Sequence, residues 1–187
     1  HAGDALQDSY RTTLECSYMK SSSAALTTPG PAPAAVRDAK AAPAGPARAR
    51  MRILVRLPGN AEQQQRLVEL RSLFTEACNA LAPMVQQTRC WNRVALHHMA
   101  YRPLRERFPQ LGSQMACNVI YSVSRAARRV YQDHSSPYNM ARNPGKPLPV
   151  LKFGGPVPVY FDRHTLSLKG GEVSLFTQDG RMRFKVD

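Results

Sequence analysis

Residues 112–133 place an apolar residue at every third or fourth position, and this period constrains the chain more than any other stretch. Met115, Val119, Val123, Ala126 and Val130 form one stripe of a helix, wide enough that other elements must cover it. Arg125, Arg128, Arg129 and Gln132 share another face, and Asp133 is the single acid of the segment. Pro109 closes what comes before, and Ser113 reads as the N-cap, its hydroxyl accepting a bond from a first-turn N–H. Three arginines without internal partners either face solvent, as on an ordinary bundle helix, or meet an anion from outside.

The charge of the whole chain bears on that choice. Over 187 residues the net charge is +13, with a pI near 10.2. This balance fits a polyanionic partner, because each cation that neutralises a phosphate releases a condensed counterion. An anionic membrane surface would satisfy it too, but no run of about 18 apolar residues is present to span a bilayer. The N-terminus also lacks the basic, apolar, small-residue order of a secretory signal. Cys16, Cys78, Cys90 and Cys117 are far apart and form no C-x-x-C pair, so reduced thiols in a cytoplasmic protein are expected. Cys78 and Cys117 fall on apolar helix faces, where a buried small hydrophobe is the expected role.

Composition divides the chain near residue 50. Residues 1–50 hold 13 Ala and 5 Pro with few large aliphatics, too little apolar surface to offset chain entropy, so a disordered tail is expected. The chain opens on His1, and Met51 heads the first stretch with a folding pattern, so Met51 reads as the native start. Residues 51–187 carry +11 of the charge. Met51, Ile53, Val55 and Leu57 alternate with Arg52 and Arg56, as in a strand with one buried face, and Pro58-Gly59-Asn60 turns the chain.

Helical periods follow over 61–81, where Pro83 closes or kinks the element, and over 92–108, where Pro103 sets a kink. Six prolines over 134–158 predict a long surface connection. A meander ends the chain: a strand over 159–169, a Gly170-Gly171 turn, a strand over 172–178, an Asp179-Gly180 turn, and a last strand. In that last strand Met182, Phe184 and Val186 face inward, while Arg181, Arg183 and Lys185 face outward. The expected class is α+β. Residues 51–60 and 150–187 form an antiparallel β unit, residues 61–133 a helical bundle inserted into it, and residues 134–149 a loop.

Catalytic motifs are missing: no nucleophile elbow, zinc-protease, P-loop or dinucleotide fingerprint occurs. His97 and His98 are adjacent and point about 100° apart on a helix, so they do not chelate one ion together. Glu62, Glu69 and Glu76 lie seven apart, as a solvated stripe does, and no acid pair suits two-metal hydrolysis. Nucleic-acid binding fits better, since two basic faces stand near Tyr121, Tyr131, Tyr160 and Phe161, aromatics able either to stack on bases or to fill a core.

Four stretches occur in a telling order: Ile53-Leu54-Val55-Arg56-Leu57-Pro58; Gln63-Gln64-Gln65 leading to Cys78-Asn79-Ala80; Leu111-Gly112-Ser113-Gln114-Met115-Ala116; and Asp179-Gly180-Arg181. Together they resemble the N-terminal half of the TnpB (OrfB) family, transposon-encoded RNA-guided nucleases related to type V CRISPR effectors. The likeness covers residues 51–187, and Gly59-Asn60 departs from the threonine the family often has there. It implies a wedge-type antiparallel β-barrel interrupted by a helical recognition bundle that holds guide RNA and helps read target DNA. In such systems base pairing reads sequence, and the protein reads backbone, shape and a short flanking motif.

The family's catalytic carboxylates and zinc ribbon lie in a RuvC-like domain downstream of this region. No catalytic residue carries over, no cofactor is expected in this chain, and divalent metal and zinc are expected only in that domain. The candidate phosphate contacts are Arg52 and Arg56 on the first strand, Arg125, Arg128 and Arg129 on the helix, and Lys169, Arg181, Arg183 and Lys185 on the meander. Gln114 or Asn118 would reach a base edge or ribose. Two other readings are a stand-alone, non-catalytic DNA- or RNA-binding protein of repressor or chaperone type, and a basic protein of membrane surfaces.

Overall fold

Three helices and three strands make up the regular structure of the computed structural model, which describes residues 54–155 and 157–186. In chain order they are α1 (Ala61–Thr88), α2 (Arg93–Arg107), α3 (Ser113–Tyr131), β1 (Leu166–Lys169), β2 (Glu172–Thr177) and β3 (Gly180–Lys185). The expectations for Met51–Ile53, for Arg52, for Cys16 and for the tail lie outside the described residues.

A capping box starts α1. The Asn60 side chain accepts from the Gln63 N–H at 2.8 Å, and the Gln63 side chain accepts from the Asn60 N–H at 3.1 Å, so two orphan donors are satisfied at once. The helix then passes through Pro83 and reaches Thr88, beyond the 61–81 given by the period. Proline removes one backbone donor, and the apolar stripe continues past it through Val85, so packing outweighs the lost bond. Arg89 ends the element in the left-handed region, at φ 51° and ψ 29°. Asn92 caps α2 by accepting from the Val94 and Ala95 N–H groups, and the helix runs on through Pro103.

Helix α3 packs against both others. Gly112, not Ser113, is its N-cap, and no side chain caps it. A Cβ at Gly112 would stand 2.7 Å from Cε1 of Phe176, so close approach to the sheet excludes a serine-type cap there. The buried stripe also differs from the expected one: Ala127 and Tyr131 are buried, while Ala126 and Val130 are only partly so. Steps of four residues advance about 40° round a helix, and the buried arc follows this drift.

The sheet is open, with order β1-β2-β3 and antiparallel pairing throughout, so the barrel expectation is corrected. Two physical reasons account for it. Residues 54–60 join no ladder; Val55 and Leu57 pack on the core from an irregular lead-in to the α1 cap. The expected strand over 159–169 shortens to Leu166–Lys169, because Asp162 Oδ1 accepts from the His164 and Thr165 N–H groups at 3.1 Å and turns the chain. Gly170 and Gly171, at φ 58° and 73°, make the first hairpin turn. At the second, Thr177 pairs with Gly180, so the turn is Gln178-Asp179 and the positive φ of 97° falls on Gly180. In β3 the alternation is as expected: Met182 and Phe184 are buried, and Arg181, Arg183 and Lys185 are exposed.

One hydrophobic cluster runs through helices and sheet, from Leu70 and Phe74 through Val119 and Val123 to Val173, Leu175 and Phe184. Residues 134–158, expected as a surface connection, contribute Leu148 and Leu151 to it. That segment is strapped down by side chains. Asn79 donates to the Phe153 carbonyl and accepts from the Phe153 N–H, both at 2.8 Å, Gln86 donates to the Leu148 carbonyl at 3.2 Å, and the Tyr131 hydroxyl donates to the Pro149 carbonyl at 2.6 Å. Asn79 therefore stands inside α1 rather than at its end. Among the described residues no helix is long and apolar enough to cross a membrane.

Two outcomes are expected. Asn79→Ala removes both bonds to Phe153 and lowers unfolding free energy by about 1–3 kcal/mol, with the Phe153 amide among the fastest to gain hydrogen exchange. The Cys78 thiol is pushed up to about 12 by burial. It stays unmodified by iodoacetamide at neutral pH in the native protein and reacts only in denaturant, as mass spectrometry of the labelled peptides would read.

Candidate nucleic-acid interface

The exposed side of α3 is set by what its other side must bury. With Val119, Val123 and Ala127 turned inward, Arg125, Arg128 and Arg129 emerge on the surface, and Gln132 follows one turn after Arg128. Arg128 and Arg129 occupy the last turn, where the carbonyl end of the helix favours positive charge. Asp133 follows them just beyond the helix end. Hydrogen bonds from the Ser135 hydroxyl and N–H to Asp133 Oδ1, at 2.7 and 2.9 Å, hold its carboxyl below the ordinary value, with Arg129 a smaller influence.

The outward row of the sheet is the second basic face. Lys169, Arg183 and Lys185 are exposed, and Glu172 pairs with Arg183 at 3.3 Å across the β2–β3 ladder. Arg181 is more committed: it donates to the His164 carbonyl at 2.7 Å and to Ser174 Oγ at 3.3 Å. A further ion pair joins Arg66 of α1 to Asp179 of the second hairpin turn at 3.3 Å, with Arg66 also donating to Thr177 Oγ1. Arg66 Nε is otherwise without a well-directed partner, so this contact is chiefly one of proximity.

At the loop 162–165 the structure departs most from the expected site. Gln114 donates to Asp162 Oδ2 at 2.5 Å, and Asn118, 3 % exposed, donates to Thr165 Oγ1 at 3.3 Å. Asn118 thus has no surface to offer a base, and Gln114 is engaged with Asp162; both fasten the loop to α3. Burial pushes the Asp162 carboxyl up, but the Thr165 hydroxyl, the His164 and Thr165 N–H groups and the Gln114 amide outweigh it, and its pKa is lowered. The loop carries Arg163 and His164 on the surface, and the His164 carbonyl accepts from Arg181 of β3. Arg56 is exposed on the lead-in to α1.

Sequence reasoning missed Arg93, Arg163 and His164. Arg93 stands over the Tyr121 ring, 5.1 Å from its centroid. The signal was faint, because each is a lone basic residue without a periodic row. Of the four aromatics considered, Tyr131 and Phe161 are in the core, whereas Tyr121 and Tyr160 are partly exposed and lie against each other at 4.4 Å.

One pair has the composition of a nucleophilic dyad. Cys117 Sγ lies 3.6 Å from His97 Nε2, and His97 is stacked on Tyr101. Burial pushes the Cys117 thiol up, opposed by Arg93 and reinforced by Asp162, with a net rise, so the pair favours the neutral thiol over the reactive thiolate. Among the described residues no three His, Cys, Asp or Glu side chains are gathered to hold a metal ion. No protein-family model matches the chain, and neither does any curated protein or solved structure.

Because the folded-state pKa of Asp162 lies below its ordinary value of 3.8, its contribution to stability is present at neutral pH and is lost as pH falls through the lowered value. Asp162→Asn also sets an amide against the Gln114 amide. The expected result is a lower melting temperature at pH 7 and a shallower decline of melting temperature on acidification than in the unsubstituted chain, measured by circular dichroism.

Proposed function

We propose that this chain is the nucleic-acid-binding N-terminal region of an RNA-guided DNA endonuclease of the TnpB (OrfB) type, with guide RNA and target DNA as its partners. The observation that carries the reading is the exposed row Arg125, Arg128 and Arg129 on α3, whose neighbouring acid Asp133 is already held by Ser135. A helix face with three exposed guanidinium groups is suited to phosphates, which supply most of the sequence-independent affinity for nucleic acid.

The outward side chains Lys169, Arg183 and Lys185 extend the same chemistry onto the sheet, and Arg163 adds an exposed cation on the 162–165 loop. Arg181 serves the reading indirectly by holding the 162–165 loop. The resemblance in residues 51–187 supplies the finer part: a recognition bundle joined to a β unit, working on a guide and its target. Cleavage belongs, on that likeness, to a RuvC-like domain downstream, which would hold the divalent metal and the zinc. In this chain the work is to bind backbone and shape while base pairing reads sequence.

The salt dependence of binding tests it. Replacing Arg128 and Arg129 together by Ala is expected to reduce the slope of log Kobs against log salt by up to about two ions for an RNA ligand, with the fold intact by circular dichroism. An unchanged slope removes these two residues from the interface. A chain that binds neither RNA nor DNA overturns the reading.

A further inference from the structure

We propose that Tyr121 and Tyr160 form a stacking platform for the bases of an unpaired stretch of nucleic acid, whose backbone then follows Arg125 and Arg128 along α3. The proposal rests on the nucleic-acid-binding reading above and narrows the ligand at that surface to a single strand.

The two rings come from different parts of the chain, α3 and the segment before the 162–165 turn, and meet at 4.4 Å between centroids with planes 36° apart. Five core aromatics, Phe74, Phe108, Tyr131, Phe161 and Phe184, are at most 7 % exposed, and Tyr160 is half-buried and packs against the same cluster. Tyr121 differs from them. It is partly exposed, and it is not among the side chains that pack against the hydrophobic cluster. Its hydroxyl makes no hydrogen bond to the described residues, and its ring is met by Tyr160 and by the Arg93 guanidinium at 5.1 Å. The Arg93 side chain is exposed, so an arriving base can take its place over the Tyr121 ring while the guanidinium turns to a phosphate, the combination of π-face and positive charge that single-strand binders present.

The helix supplies the rest. At 100° per residue, Gln114, Tyr121, Arg125 and Gln132 point within about 40° of one another, and Arg128 stands close to that direction. Along the axis Arg125 is about 6 Å and Arg128 about 10 Å beyond Tyr121, so the aromatic group and the cations form one line on one face. The aromatic surface also continues onto α2: Cys117, one turn before Tyr121, touches His97, which stacks on Tyr101 at 4.9 Å. A duplex cannot use these rings, because its base faces are covered by their neighbours; an unpaired strand can.

The test uses the full chain with two fluorescein-labelled probes, a dodecamer of uridylate and an RNA duplex of equal length, read by anisotropy at fixed salt. Tyr121→Leu is expected to weaken single-strand binding about five- to hundredfold, to leave duplex binding within about twofold, and Tyr121→Phe to restore single-strand binding. A dodecamer carrying 4-thiouridine is expected to cross-link to the unsubstituted chain at Tyr121 or Tyr160, a readout independent of how any variant folds. Unchanged single-strand affinity in Tyr121→Leu, equal losses on both probes, or cross-links confined elsewhere would overturn the proposal while leaving nucleic-acid binding in place. Binding of neither probe by the unsubstituted chain would overturn both.

Discussion

The pair of 2.8 Å hydrogen bonds between the Asn79 side chain and the backbone of Phe153 is the interaction on which the arrangement depends. The described residues of 132–165 contain no strand or helix, yet Leu148, Leu151 and Phe161 lie in the core. Burying such a segment withdraws its N–H and C=O groups from water, and each needs a partner. The helices provide several: Asn79 of α1 bonds both backbone groups of Phe153, Gln86 the Leu148 carbonyl and Tyr131 the Pro149 carbonyl, while Gln114 and Asn118 hold the Asp162 and Thr165 side chains. Within the segment Asn139, itself buried, donates to the Gln132 and Asp133 carbonyls and accepts from the Arg142 N–H, closing the end of α3.

This division of labour determines what is left at the surface. Amides that the sequence offers as base readers are spent on the loop, so the outward chemistry is carried by guanidinium and ammonium groups and by the few rings outside the core. The loop 162–165 is tied to the start of α3 through Asp162 and Thr165 and to β3 through Arg181, so it joins the sheet to the helix that carries the arginines. Glu62, Glu69 and Glu76 line the exposed side of α1, Asp133 and Asp162 are occupied by hydrogen bonds from their own turns, and Glu172 on the sheet pairs with Arg183 but not with Lys169 or Lys185. The positive field therefore gathers on α3 and the sheet rather than averaging over the molecule.

Periodic signals were legible in the sequence and local competitions were not. The helix at 113–131, the alternation of β3 and the Gly170-Gly171 turn follow from spacing and glycine chemistry, and they stand where expected. Pro83 was read as a breaker, but a proline costs one donor and the apolar stripe of α1 has enough to bury beyond it. The strand expected from residue 159 was displaced by an Asp162 turn whose energy lies in side-chain-to-backbone bonds that alternation does not register. At the candidate site the exposure of Arg125, Arg128 and Arg129 was legible from the helical period. The inward turn of Asn118 was not, because its partner Thr165 lies 47 residues away.

The most direct measurement is a titration of the isotope-labelled chain with a short RNA, followed by amide chemical shifts. A cationic interface built on α3, the 162–165 loop and β3 predicts shifts clustered at residues 121–132, 163–164 and 181–185, with the α1 face of Glu62, Glu69 and Glu76 unmoved. Shifts centred on that acidic face, or none at RNA concentrations well above those of the protein, would contradict it.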